Sequence, residues 1–232
     1  MQKMKRFYYN IEFTEYIDIE GNVYNHIRNV LRLNVGDTVF LANDKNFGIY
    51  ELINFHKKSI KGKLKEILPH KVPDYELVIY ISVIKNRYMN YILEKLGEIG
   101  VTEIIPVYSD YSTATVTGKT FSRYREHVCN GALQAEHNFL PSLHSVMKIG
   151  DVAAIDSKNY LLSARGNNRG VPELYNKNVC LFLGPEGGLS KDETTLLIQK
   201  GFEPLTPFKS ILKAETAAIV FSGMFRILME NL

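Results

Sequence analysis

Leu183-Gly184-Pro185-Glu186-Gly187-Gly188 lies between an apolar run, Asn178 to Leu183, and a helix start marked by Ser190 with Glu193 three residues later. The run reads as a short buried strand and the Ser-Glu pair as a capping box, so the glycine-rich segment is a strand-loop-helix joint. A phosphate cradle at such a joint uses free backbone N–H groups and positive charge. Here Pro185 lacks the N–H and Glu186 adds a carboxylate. The loop therefore favours a neutral or cationic guest, with Gly187 as the position where a side chain would obstruct it. A second polar joint, Ile211-Leu212-Lys213-Ala214-Glu215-Thr216-Ala217-Ala218, introduces the last helix and sets an ammonium, a carboxylate and a hydroxyl close together.

The 232 residues are 45% hydrophobic and 23% charged, a globular composition with room for one large domain or two modest ones. Cys129 and Cys180 are far apart in apolar surroundings, which argues against a disulfide framework and predicts buried thiols in a reducing, cytoplasmic setting. His56, His70 and His144 have no acidic or cysteine partner at ligand spacing, so no metal is expected. No run reaches the length of a membrane span, and no apolar export segment follows the basic start. Net charge is only +3, but residues 1–73 hold twelve Lys and Arg against eight Asp and Glu. That local excess of +4 makes the first third the candidate nucleic-acid-docking module, because basic segments attract a phosphate backbone through counterion release.

Short strand-like runs, Arg6 to Tyr9, Thr38 to Leu41, Ile49 to Phe55 and Lys61 to Ile67, fill the first seventy residues or so, broken by Gly21, Gly36, Gly48 and Gly62. One helical pattern, Val23 to Leu33, interrupts them, with Val23, Ile27, Val30 and Leu31 on its apolar face. These runs predict a small barrel-like domain over 1–72. Lys61, Lys63 and Lys65 alternate along one strand face, either as a phosphate-binding stripe or as a solvated surface. Pro69 to Pro73 reads as a linker. Beyond it, over 73–232, strands and helices alternate: Glu76 to Ile84, helix Tyr88 to Ile99, Thr102 to Val107, helix Ser122 to Ala135, Tyr160 to Ala164, Val179 to Leu183, helix Ser190 to Lys200 and Glu203 to Thr206. Such alternation predicts an α/β sheet with helices on both faces. The last helix, Ala214 to Met229, is apolar nearly all round and must be covered on most sides, by its own domain or by a second copy of the chain.

The two joints, in this order and spacing, resemble the ribosomal RNA small-subunit uridine-N3 methyltransferase family of the SPOUT superfamily. Arg6-Phe7-Tyr8, the segment His26 to Arg32, Gly36-Asp37, Lys85, Glu94-Lys95, Glu98 to Val101, Pro106 and Gln134 before Pro141 follow the same pattern, so the resemblance covers nearly the whole chain. It implies a PUA-like β-barrel domain followed by a knotted SPOUT-type α/β domain, and a homodimer built on the last helix. It further implies S-adenosylmethionine as cofactor, held by Leu183, Gly184, Pro185, Glu186, Gly187, Gly188, Ile211, Leu212, Ala214, Thr216 and Ala217. The substrate it implies is 16S ribosomal RNA of the small subunit, contacted through Arg6, His26, Arg28, Arg32, Lys61, Lys63, Lys65, Lys85, Gln134 and His137.

Methylation of a uridine at N3 requires loss of the imide proton, so a base or an anion-stabilising group is needed. Candidate bases are Glu98, Glu186 and Glu215, and candidate cations are Lys85, Arg87, Arg165 and Lys213. Glu215, Lys213 and Glu98 are the expected catalytic set. The chain departs from the family where an arginine is usual: Tyr111 in Asp110-Tyr111-Ser112, His137 where a basic residue often follows Gln134, and Lys213 before the Glu-Thr pair. Lysine does not reproduce a bidentate guanidinium fork. A SPOUT enzyme acting on another RNA site and a non-catalytic RNA-binding relative are therefore the alternative readings.

Overall fold

A computed structural model describes residues 4–163, 174, 176–206 and 208–232. The chain divides into two compact units, Met1–Val72 and Pro73–Leu232.

In the first unit a five-stranded sheet runs in the order β1 (Lys5–Tyr8), β3 (Thr38–Ala42), β4 (Asn46–Phe55), β5 (Ile60–Pro69), β2 (Tyr16–Ile19). Strand β1 pairs parallel with β3, and the other pairs are antiparallel. Alternation along the strands sends Val39, Leu41, Tyr50, Leu52, Ile17 and Ile19 into one core. Strand β2 escaped the sequence reading because only Ile17 and Ile19 alternate there, between exposed Tyr16 and Asp18.

The predicted helix at 23–33 is α1 (Gly21–Asn25) running straight into a π-helical segment, His26–Leu31. The widened turn ends at Arg32, whose φ of 53° is left-handed and whose N–H reaches back to the Ile27 carbonyl. Ile27 stays fully buried, whereas Val30, expected on the core face, is 67% exposed. A π turn shifts the 3.6-residue periodicity on which that expectation rested.

The lysine stripe is interrupted. Tyr50 pairs with Leu64 and Ile49 with Glu66, so Lys65 is the extra residue of a β-bulge, and its ammonium is ion-paired with Glu51 at 2.8 Å. The neighbouring Lys65 ammonium accordingly lowers the carboxyl pKa of Glu51. Lys61 and Lys63 keep the outward face, their ammonium groups 5.4 and 5.9 Å from the centre of the Tyr16 ring.

In the second unit the described strands form a seven-stranded sheet, parallel throughout, in the order β12 (Glu203–Leu205), β10 (Lys158–Leu162), β11 (Asn178–Leu183), β6 (Glu76–Ser82), β7 (Glu103–Tyr108), β8 (Ser142–Leu143). The two-residue β9 (Met147–Lys148) also pairs with β7. A parallel sheet is buried on both faces, which is why β6 and β11 read as continuous apolar runs. Leu77, Ile79 and Ile81 on one face pack with α2 (Asn86–Ile99) and α5 (Ala214–Glu230). Val78, Tyr80, Cys180 and Phe182 on the other meet Leu197 of α4 (Lys191–Gln199) and Phe202. Burial raises the thiol pKa of Cys180, and Cys129 is buried as well.

Helix α3 (Gly118–Gln134) begins where the Thr117 hydroxyl accepts the Thr120 N–H, four residues before the predicted start. It lies on α2 at a close crossing. A Cβ at Gly97 would stand 2.1 Å from the Val128 carbonyl oxygen, and one at Gly131 would stand 1.9 Å from that of Glu94.

Helix α5 is not apolar all round in its packing. Ala218, Phe221, Ser222, Phe225 and Met229 are buried in its own unit, with Phe225 stacked on Tyr160 at 5.3 Å. Val220, 36% exposed, and Ile227, 62% exposed, lie on the opposite side. Among the described residues no helix is long and apolar enough to cross a membrane.

Candidate active site

Strand β11 sits between β10 and β6, and its carboxyl end delivers the chain into Gly184 to Leu189. The Gly188 N–H closes a turn onto the Pro185 carbonyl at 2.9 Å. Gly188 has φ 78°, a left-handed conformation that favours glycine. At Gly187, by contrast, a Cβ would meet Tyr111 at 3.5 Å, an ordinary contact. The glycine requirement expected at 187 therefore falls on 188.

The capping box closes the loop. The Ser190 hydroxyl accepts the Glu193 N–H at 3.2 Å, and the Glu193 carboxylate accepts the Ser190 N–H at 2.9 Å. Its other oxygen accepts the Asp110 N–H at 2.7 Å, so this buried carboxylate also ties the glycine loop to the turn after β7.

These elements surround a cavity of about 1030 Å³ at the carboxyl ends of β10, β11 and β12, the edge where open α/β sheets bind ligands. The whole of 183–188 lines it, as do Ile211, Leu212, Ala214 and Ala217. Of the predicted cofactor residues only Thr216, exposed in the first turn of α5, is not on the lining. Glu215 and Lys213 line the cavity together with Glu186. Glu98 does not: on α2, its carboxylate is ion-paired with Lys95 at 2.6 Å. The i,i+3 spacing of Lys95 and Glu98 on α2 was the available sign of that pairing.

Several lining residues were missed. Thr206, just past the end of β12, is 5% exposed, and its hydroxyl has no hydrogen-bond partner among the described residues. Its position at the carboxyl end of a parallel strand was the available signal. Phe208 lines the cavity edge-on to Phe221 of α5 at 5.8 Å, and Tyr88 comes from the first turn of α2. Helix α5 starts at Ala214 with no side-chain cap, leaving the backbone N–H groups of its first turn available at the cavity.

The expected RNA contacts are dispersed. His26, Arg28 and Arg32 are exposed in the first unit, with the Arg28 guanidinium 6.0 Å from the Phe55 ring. Arg6 is half-buried with its guanidinium 4.4 Å over Phe40, and burial lowers its pKa. In the second unit Lys85 is the N-cap of α2 and lines a smaller hollow next to the cavity. Arg87 stacks on Tyr88 at 4.4 Å. Gln134 is exposed at the end of α3. His137 is not brought to the cavity: its Nε2 donates to the Glu98 carbonyl at 2.9 Å and its ring packs on Phe139 at 5.3 Å. Arg165 lies outside the described residues. Among the described residues no three His, Cys, Asp or Glu side chains are grouped to hold a metal.

A family model described as an RNA methyltransferase domain matches residues 71–226. The chain belongs to this family. A second model, an RNA methyltransferase PUA domain, matches residues 19–65. The chain is 28% identical to the ribosomal RNA small subunit methyltransferase E of Mesomycoplasma hyopneumoniae, over 93% of this chain and 96% of the relative. With the protein of the same name from Rickettsia conorii it shares 26%, over 97% of this chain and 96% of the relative. Among solved structures it is similar to the ribosomal RNA small subunit methyltransferase E from Neisseria gonorrhoeae bound to S-adenosyl methionine. The TM-score is 0.82 at 23% identity, covering 97% of this chain and 98% of that one. The architecture of this family member is thus an α/β RNA methyltransferase domain preceded by an RNA methyltransferase PUA domain.

Proposed function

We propose that the chain is an S-adenosylmethionine-dependent methyltransferase that modifies N3 of a uridine in 16S ribosomal RNA of the small subunit. The observation that carries the reading is the cavity at the strand ends, lined together by a carboxylate-bearing glycine turn, the uncapped start of α5 and apolar side chains. These residues fit the cofactor. Leu183, Leu212, Ala217 and Phe221 suit an adenine, and the Thr206 hydroxyl, without a hydrogen-bond partner among the described residues, suits a ribose or purine hydrogen bond. Glu186 suits a cationic sulfonium, and the first-turn N–H groups of α5 suit a carboxylate. When bound, the cofactor supplies an electrophilic methyl group.

The residues of the chain then have to deal with the imide proton. Glu215 is assigned as its acceptor, and Lys213 as the cation that balances the negative charge left on the pyrimidine. Glu98 takes no part in this assignment, being engaged by Lys95 away from the cavity lining. The small-subunit target is supported by the names of the relatives, and the N3 position by the sequence resemblance. The residues 1–72, with their basic excess, are assigned to RNA docking and 73–232 to chemistry. The exposed side of α5 is assigned to a homodimer. The cytoplasm, where ribosomal subunits are found, is the compartment this reading implies.

Two measurements test it. Calorimetry with the purified protein is expected to give S-adenosylmethionine binding that survives EDTA. Mass spectrometry of small-subunit RNA from cells lacking the protein is expected to reveal one missing methyluridine. Full modification in those cells would point to another RNA target if the protein binds S-adenosylmethionine, and to the non-catalytic alternative if it does not.

A further inference from the structure

The turn after β7 presents Tyr111 beside the glycine loop on a rigid mount. The Ser109 N–H donates to the Ser112 hydroxyl at 2.9 Å, and the Ser112 N–H donates to the Ser109 carbonyl at 3.0 Å. The Ser109 hydroxyl donates to that of buried Ser82 at 3.1 Å, and the Asp110 N–H is held by Glu193. The root of the Tyr111 side chain rests against Gly187, with Cβ, Cγ and Cδ2 at 3.5 to 3.7 Å from where a Cβ at 187 would stand. Yet the residue is 53% exposed. Four hydrogen bonds fix the turn that carries an aromatic side chain the core does not use.

The ring borders a hollow of about 530 Å³ lined by Lys85, Tyr88, Tyr111, Thr113, Glu186 and Gly187. Tyr88, Glu186 and Gly187 line the larger cavity too, so the two spaces share a seam. An aromatic face, a hydroxyl and an ammonium at the mouth of a methyl-donor cavity match one kind of occupant. A nucleobase removed from its stack is held by an aromatic face, and its phosphate by a cation.

We propose that this hollow seats the target pyrimidine nucleotide, with the Tyr111 ring as its stacking platform and Lys85 against its phosphate. The base edge then faces the seam at Glu186 and Gly187, beyond which lies the cofactor cavity. The assignment rests on the methyltransferase reading above.

The test compares Tyr111→Ala, Tyr111→Leu and Tyr111→Phe, each first checked for S-adenosylmethionine affinity by calorimetry. With small subunits from cells lacking the protein, Tyr111→Ala and Tyr111→Leu are expected to lose roughly tenfold in kcat/KM, chiefly through KM, as removal of one stacking partner predicts. Tyr111→Phe is expected to keep about half or more of the wild-type value. A second readout needs no turnover: 5-iodouridine 5′-monophosphate, irradiated with protein saturated in S-adenosylhomocysteine, is expected to crosslink to the peptide carrying Tyr111. Leucine performing as well as phenylalanine, alanine matching wild type, or a crosslink that omits this peptide would each overturn the proposal while leaving the methyltransferase reading in place. A wild-type protein that binds no S-adenosylmethionine would overturn the reading itself.

Discussion

The glycine loop separates two things that a run of glycines conflates: room for a guest and freedom of the backbone. Gly187 has room for a Cβ, whereas Gly188 is held at φ 78° with open space around it. Replacing Gly188 by Val should therefore strain the Pro185–Gly188 turn by about 1–2 kcal/mol and weaken S-adenosylmethionine binding roughly tenfold or more. Gly187→Ala should cost far less. Calorimetry on both variants checks the order, and a reversed order would mean that steric approach dominates. The Glu215→Gln variant probes the proposed proton acceptor. It should bind RNA and cofactor normally but transfer methyl groups slowly, and its rate should climb with pH as the uridine ionises in solution. A variant whose rate stays flat with pH would remove Glu215 from that role. Much of this site was legible in the residues themselves, because Pro185, Glu186 and the Ser190-Glu193 box each exclude or demand a local geometry. Thr206 and Phe208 were not, since a single hydroxyl or ring carries no spacing signal until the strand ends are brought together.

At the scale of elements, helices and strands with a regular period were readable and irregular ones were not. Met89, Ile92, Leu93 and Leu96 mark α2 by spacing alone, and all four are fully buried. The π-helical segment at His26–Leu31 has no such period, and the two-residue strands β8 and β9 are too short to have one. The α2–α3 crossing is a further feature that periodicity misses. Gly97 and Gly131 each face the backbone carbonyl of the other helix, at distances no real Cβ could take. A carbonyl cannot swing aside as a long side chain can, so a methyl group forces the helices apart. Gly131→Ala should thus destabilise the protein by about 1–3 kcal/mol despite alanine's better helix propensity. Denaturant melts against wild type measure this directly. A stabilised variant would mean that the helices can separate freely. Gly223 on α5 has nothing within 4 Å, so Gly223→Ala serves as the control for propensity alone.

Across the whole molecule, the proposed division of labour and the proposed dimer make separable claims. Because Phe225 is buried against Tyr160 in its own unit, a charge there would unfold the chain rather than split a dimer. Ile227, 62% exposed, is the proper probe: Ile227→Glu should shift the sedimenting species from dimer to monomer with its thermal stability largely retained. A wild-type monomer at micromolar concentration would leave that side of α5 as plain surface. The docking claim depends on charge. Lys65 is already neutralised by Glu51, whereas Lys61 and Lys63 extend outward beside the Tyr16 ring. A phosphate drawn to this face would meet the two outward ammonium groups together with an aromatic surface. Exchanging Lys61 and Lys63 for Gln should weaken binding of small-subunit RNA and reduce the slope of log affinity against log salt by about one unit per lost contact. Lys65→Gln alone should change that slope much less, because its charge is screened in the free protein. Cofactor affinity should be the same in all three proteins, since none of these residues lines the cavity. Equal salt slopes for the double variant and wild type would mean that the strand face is merely solvated, and that the basic excess of the first unit acts through His26, Arg28 and Arg32 instead.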